Sequence, residues 1–243
     1  MALNYRMPFH QMRVVWFLTT AVISLCWLWR ATQGYAQSDT REFDIDSFIK
    51  GYVGDQNITD IPAFMRFLTK SHVTKDRVNM QLVMFIMCAT HAAEASQQEE
   101  VRRSVDSLPS PAKEVYRATL ASPPDKYLAT KAESPSKNDL YWSCFFGSGD
   151  RKYLTALMEH ALKDDERKDL NVYTVAASAK WSLCANSKSV TEVQSFIRSL
   201  AVSERSSKRM KTLARELIDC SPQALRESIP AVLKEQKDKG VWR

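Results

Sequence analysis

The chain has 243 residues, 44% of them hydrophobic and 26% charged, with 34 basic against 28 acidic side chains. That is too much apolar material for a disordered chain and enough for one large folded unit or a short repeat array. The net charge of +6 is modest, and the basic C-terminal section has almost no aromatics until Trp242. This excludes the interleaved basic and aromatic surface that single-stranded nucleic acids require.

The N-terminus reads as an export signal. Arg6, His10 and Arg13 precede an uncharged run from Val14 to Trp29, which is shorter than the ~20 residues a membrane-spanning helix needs. Arg30 and a short polar stretch lead to Gly34-Tyr35-Ala36, small-residue spacing that suits cleavage before Gln37. The alternative is a retained anchor formed by residues 14–29 in the inner membrane. Cys26 follows Leu25, so a lipoprotein site is a poor match. Residues 1–36 are thus a signal peptide or anchor, and the mature chain is periplasmic or secreted.

Only six glycines occur in the whole sequence, and apolar residues recur at helical rather than strand spacing. The expected fold is all-α, with antiparallel helical hairpins stacked as a short α-solenoid or irregular bundle. Residues 37–121 form an N-terminal helical part. Phe48, Ile49 and Tyr52 mark a short first helix, and Pro62 sits in the first turn of a second, followed by Phe64, Phe67 and Leu68. A broad apolar run from about Lys75 to Glu94 predicts a central helix. Ser96-Gln-Gln-Glu99 has the pattern of a capping box, with Val101, Val105 and Leu108 as the stripe behind it. Pro109 and Pro111 separate that helix from one led by Val115 and Leu120.

Residues 122–137 are a connection rich in proline and serine, with Ser122-Pro-Pro124 and Ser134-Pro-Ser-Lys137 at its ends. The helical-repeat part, 138–236, follows, with helices over about 137–146, 150–163, 171–186, 190–201, 204–219 and 222–236. Gly147 and Gly149 are expected to close the first of these. Ser189-Val-Thr-Glu192 reads as another capping box, and Ser221-Pro222 as an N-cap with a first-turn proline. Pro230 should kink or divide the last helix. Residues 237–243 are a basic tail.

Two stretches align without gaps at an offset of 39 residues. Trp142-Ser143 matches Trp181-Ser182, and Leu154, Leu157 and Met158 match Val193, Phe196 and Ile197. Each copy is a helix with Trp-Ser, a polar turn and an amphipathic helix, a period that fits stacked helical hairpins. The stretch with Trp142, Phe145, Phe146 and Gly149, and the later one with Ala179, Lys180, Trp181, Ser182, Leu183 and Asn186, resemble a loosely defined group of uncharacterised bacterial exported proteins with tetratricopeptide-like repeats. The resemblance covers roughly residues 138–200. It implies an exported helical fold in a Gram-negative-type bacterium and no particular activity.

Four cysteines, Cys88, Cys144, Cys184 and Cys220, remain after the signal. An exported compartment permits disulfides, but three of the four neighbourhoods are apolar and helical, where a free thiol also packs well. Catalytic signatures are missing. Ser-x-x-Lys occurs at Ser47, Ser110 and Ser134 without its supporting Lys-Thr-Gly element, and there is no His-Glu-x-x-His, Cys-x-x-Cys or phosphate-binding loop. His91 with Glu94, and His160 with Asp164, each share a helix face but lack the second set that a metal bundle needs. No catalytic residue, metal or cofactor is expected, and no small-molecule ligand.

Two clusters stand out as candidate binding features. Tyr141, Trp142, Phe145 and Phe146, with Trp181, form either a core knot between hairpins or an aromatic floor in a groove. Trp142 shares a stripe with Phe145 and Phe146, so Tyr141 leans elsewhere. Arg205, Lys208, Arg209, Lys211 and Arg215 form a basic face opposite an apolar stripe of Met210, Leu213, Ala214 and Leu217, which should dock on the helix at 190–201. The leading functional expectation is a non-enzymatic interaction module of the bacterial envelope with a protein partner. The alternatives are a peripheral binder of anionic membrane through the basic C-terminal helices, and a helical-bundle enzyme or metal protein.

Overall fold

The computed structural model describes residues 48, 52, 61–70, 78–108 and 112–242. The signal, its cleavage site, most of the first short helix and the prolines at 109 and 111 lie outside the described residues. Every described element is an α-helix, and no strand occurs among the described residues. In chain order these are α1 Ile61–Lys70, α2 Val78–Ala92, α3 Ala95–Asp106, α4 Ala112–Leu120, α5 Pro124–Ala129, α6 Pro135–Ser148, α7 Lys152–Ala161, α8 Leu170–Ser187, α9 Thr191–Val202, α10 Lys208–Asp219 and α11 Pro222–Asp238. None of the described helices is long and apolar enough to cross a membrane.

The helices stack because two of them are buried over most of their circumference. Every residue of α2 from Leu82 to Ala89 is buried, along with Thr90. A helix apolar all round must be enclosed by others, and α2 packs against α3, α4, α5 and α6. The second enclosed helix is α8, which buries Tyr173, Val175, Ala176, Ala179, Leu183 and Cys184 against α6, α7, α9, α10 and α11. The result is a row in which α2 meets α6, α6 meets α8, and α8 meets α11. The amphipathic helices α7, α9 and α10 lie against this row and bury only one face each.

Covalent links reinforce the row. Cys88 of α2 is bonded to Cys144 of α6, and Cys184 of α8 to Cys220, just before α11. The first ties α2 to α6, and the second ties α8 to the turn between α10 and α11. The seam between α2 and α6 is tight at Gly147, where a Cβ would meet the Phe85 carbonyl oxygen at 2.5 Å. Gly147 is thus an interior residue of α6 that allows close approach, and not part of the helix end expected from sequence. Gly149 alone is the C-cap, with φ 68° and its N–H bonded to the Phe145 carbonyl.

The caps correct the sequence reading in two more places. The box at the start of α3 is Glu94 with Gln97, whose Oε1 accepts from the Glu94 N–H at 3.3 Å, and not Ser96 with Glu99. The N-cap of α9 is Val190, without a side-chain cap, one residue past Ser189. Ser221 does cap α11, accepting from the Ala224 N–H. Pro230 does not divide that helix, which runs unbroken from Pro222 to Asp238. The proline is on the exposed side, where its missing N–H leaves no buried acceptor unpaired. The helix α10 begins at Lys208, after the Ser207 cap, and not at 204.

Candidate functional site

Trp142 is 1% exposed and Phe145 3%, while Phe146 is half-buried. Trp142 stacks on Phe146 at 5.5 Å between ring centroids and meets Phe145 edge-on at 6.1 Å. Tyr141 turns the other way, as expected from its register, and lies 5.6 Å from His160 and 6.4 Å from Tyr153. Trp181 is buried one helix further along the row. A buried indole N–H needs an acceptor, and the two tryptophans find theirs in the same way. Trp142 donates to Ser182 Oγ on α8 at 2.9 Å, and Trp181 donates to the Pro222 carbonyl at the start of α11 at 3.1 Å. In each case the bond reaches from one helix of the row to the next.

The basic face is partly occupied. Arg209 reaches back to donate to the Leu162 carbonyl and to Asp165, at 2.8 and 3.0 Å. Lys211 is half-buried, and Arg205, Lys208 and Arg215 are exposed. The opposite stripe of Leu213, Ala214 and Leu217 is buried, and α10 packs on α9.

A polar cluster not expected from sequence joins the 122–137 connection to α6, α7 and α8. His160 Nε2 lies 2.8 Å from Glu133, and its Nδ1 lies 2.6 Å from Asn138 Oδ1. The Asn138 amide orientation is fixed, because its Nδ2 donates to the Val175 carbonyl at 2.9 Å. His160 Nδ1 must therefore carry a proton. Burial pushes the His160 pKa down, against the pull of Glu133. Lys137, 2.7 Å from Glu133, is buried, yet its bond to that carboxylate and the nearby charge hold its pKa above the ordinary value. Glu133 in turn sits below its ordinary range: its partial burial is outweighed by Lys137 and by the charges of His160 and Lys163. Asp164 does not join His160; it pairs with Lys180 at 2.6 Å, which also bonds Glu216. Among the described residues no group of three or more metal-binding side chains converges.

Asp139 is a second buried acid. It lies 9% exposed on α6, and burial pushes its pKa up to about 7 against the effect of a hydrogen bond from Gln81.

The open site lies in the N-terminal part. A cleft of about 500 Å³ is lined by His91 of α2, Arg102, Val105 and Asp106 of α3, Arg117 and Leu120 of α4, and Ala121 and Pro123 beyond it. Arg117 donates through Nε and Nη2 to Asp106 at 3.1 and 2.6 Å. Among the described residues Arg102 makes a long contact with Glu99, 3.8 Å, and a bond to Gln98, 3.4 Å. Among the described residues His91 Nε2, which is shielded from solvent, has no hydrogen-bond partner, and the same holds for Thr90 Oγ1 next to it and the Tyr116 hydroxyl on α4. Burial raises the Tyr116 pKa to about 12, so it stays a phenol.

Sequence reasoning passed over both the cleft and the His160 cluster. The cleft joins residues from three helices with no shared motif. The cluster had one local signal: Ser134-Pro135 starts a helix, which puts Glu133 and Lys137 four residues apart at its mouth. No family model, curated protein or solved structure matches the chain.

Proposed function

We propose that the chain is an exported, non-enzymatic helical-repeat protein of the bacterial envelope that works by holding another protein. The observation that supports this most is the repeated join. Trp142 to Ser182 and Trp181 to Pro222 carry a buried N–H bond from one helix of the row to the next. One disulfide joins α2 to α6, and a second joins α8 to the turn that leads into α11. Stacked repeats of this kind offer extended faces, whose rigidity reduces the ordering cost of binding. Disulfides favour an oxidising compartment, in keeping with the signal-like N-terminus. The anionic-membrane reading is second, because Arg209 is already engaged by Asp165.

The test is photo-crosslinking in intact cells, with a photoreactive residue at Ala224 or Ala231 on α11, or at Val202 at the end of α9, all exposed positions. The expected result is the same discrete protein adduct from Ala224 and Ala231. Adducts to lipid alone would favour the membrane reading, and no protein adduct from any of the three sites would overturn the proposal.

A further inference from the structure

We infer that Cys220 is a thiol-exchange site: a small free thiol attacks its sulfur, opens the Cys184–Cys220 disulfide and releases α11 from α8. The inference goes beyond the proposed function. It needs no protein partner, and its test on the purified chain can fail while the crosslinking test succeeds, or the reverse.

The two disulfides differ in access. Cys88 is 1% exposed and Cys144 0%, so both residues of the first bridge are enclosed where α2 meets α6. Cys184 is also 0% exposed, but its partner Cys220 is only half-buried. Cys220 and Ser221 both have extended backbone and make the turn between α10 and α11, and Asp219 and Ser221 on either side of Cys220 are exposed. Direction matters as much as exposure. A thiolate attacks one disulfide sulfur in line with the bond, from the side opposite the sulfur that leaves, and access to that side sets the rate. Cys184 lies inside the row, so the approach to Cys220 Sγ comes from the open side of the turn. Attack on Cys184 would have to come from the interior.

The exchange balances with thiol as the one co-reactant. The thiolate sulfur bonds to Cys220 Sγ, the bond to Cys184 Sγ breaks, and Cys184 leaves as a thiolate that takes up a proton. Lys188, one helical turn after Cys184, donates to the Ile218 carbonyl at 2.7 Å. This sets an ammonium group at the end of α8 where the negative charge develops. A second thiol attacks the mixed disulfide at the incoming sulfur and frees Cys220. The protein disulfide has then gained two electrons and two protons, and two thiols have been oxidised to one small disulfide.

The helix that this bond holds is weakly docked. α11 packs on α8, yet only Ile229 and Gln236 of its 17 residues are buried. By comparison, α9 buries Val193, Phe196, Ile197 and Ala201 among 12. Little apolar burial is therefore set against the entropy of ordering α11. Its other ties among the described residues include the Trp181–Pro222 bond and the contact of Trp242 with Tyr173. The α10 helix buries Leu213, Ala214 and Leu217 and keeps its place when the disulfide opens. Release is thus confined to α11.

The experiment exposes the purified exported protein, disulfides intact, to reduced glutathione under native conditions. Timed samples are alkylated and mapped by mass spectrometry, with backbone hydrogen exchange followed in parallel. Cys184–Cys220 should open at least tenfold faster than Cys88–Cys144, and the first glutathione adduct should sit on Cys220. Amides of α11 should then exchange at least tenfold faster, while those of α8 and α9 keep their protection. The double variant Cys184→Ser with Cys220→Ser should show the same fast exchange of α11 without glutathione. No opening of Cys184–Cys220, equal opening rates for the two disulfides, a first adduct on Cys184, or unchanged exchange of α11 in the opened protein would overturn the inference. So would loss of protection throughout the opened chain, since the disulfide would then staple the whole row and not one helix.

Discussion

The two ends of the helical row treat their buried polar groups differently. From α6 onward, Trp142 and Trp181 each find an acceptor on the next helix, and Ser134, Asp169, Ser207 and Ser221 each cap the helix that follows. Lys180, Lys137 and Asn138 are half-buried or buried and all paired. Around the end of α2 and along α4, by contrast, Thr90, His91 and Tyr116 keep buried polar atoms with no partner among the described residues, whereas the C-terminal end keeps one such atom, the Trp242 indole N–H. Satisfied networks rigidify and specify one arrangement, whereas unsatisfied groups are tolerated where something else completes them. The contrast divides the molecule into a frame and an open end, and substitutions can test that division.

The largest effect should come from the frame. Trp142 fills the space between α6 and α8 and is fully enclosed. Trp142→Ala removes a core aromatic and leaves Ser182 Oγ without its donor. The expected cost is about 3–5 kcal/mol, read as a fall in denaturant midpoint with the slope unchanged. A fall of less than about 1 kcal/mol would mean that the α6–α8 seam collapses easily and is no rigid frame.

The next effect is a gain, and it depends on pH. Asp139 has a folded pKa of about 7, raised by burial from the ordinary 3.8. Between those values the folded chain holds a proton that the unfolded chain has released. Stability therefore falls as pH rises from about 4 to 7, and the loss persists above 7. A difference of three pKa units corresponds to about 4 kcal/mol at most. Asp139→Asn keeps an acceptor for Gln81 without the charge. It should leave stability nearly unchanged at pH 4 and raise it by roughly 2–4 kcal/mol at pH 8. Equal stability of the two proteins at pH 8 would show that the carboxylate is solvated or paired.

Much of the frame was legible in the sequence, and so were the helices of the open end, but not the cleft between them. The helices at 137–146, 171–186, 190–201 and 222–236 end within two residues of α6, α8, α9 and α11, because periodicity, proline and serine caps act locally. The echo of Trp142 and Trp181 was visible because repetition is a pattern in the chain itself. Gly147 was misplaced because its role is set by Phe85, more than sixty residues away. The Ser96 and Ser189 caps were misplaced by one or two residues for a related reason: several neighbouring residues could cap, and tertiary packing chooses. The cleft left no trace, since Arg102, Arg117 and His91 become neighbours only when three helices meet. Similarly, the pairing of Asp164 with Lys180 instead of His160 is decided by where α8 lies.

The smallest effects give the sharpest form of the comparison, because they remove one oxygen from each region. Ser182 is buried in the frame; its Oγ accepts from Trp142 and donates to the Ala179 carbonyl at 3.0 Å. Ser182→Ala leaves the Trp142 N–H buried with no acceptor, which should cost about 1–3 kcal/mol. Tyr116 is 3% exposed, and its hydroxyl has no partner among the described residues. Tyr116→Phe removes a polar atom that pays desolvation for no bond, so the free chain should be unchanged or stabilised by up to about 1 kcal/mol. The two substitutions delete the same atom type at similar burial, and hydrophobic transfer alone predicts the same sign for both. Opposite signs in the denaturant midpoint would establish that one region has closed its hydrogen-bond account and the other has not. If Tyr116→Phe instead costs as much as Ser182→Ala, the hydroxyl is already satisfied in solution and the division into frame and open end fails at that position.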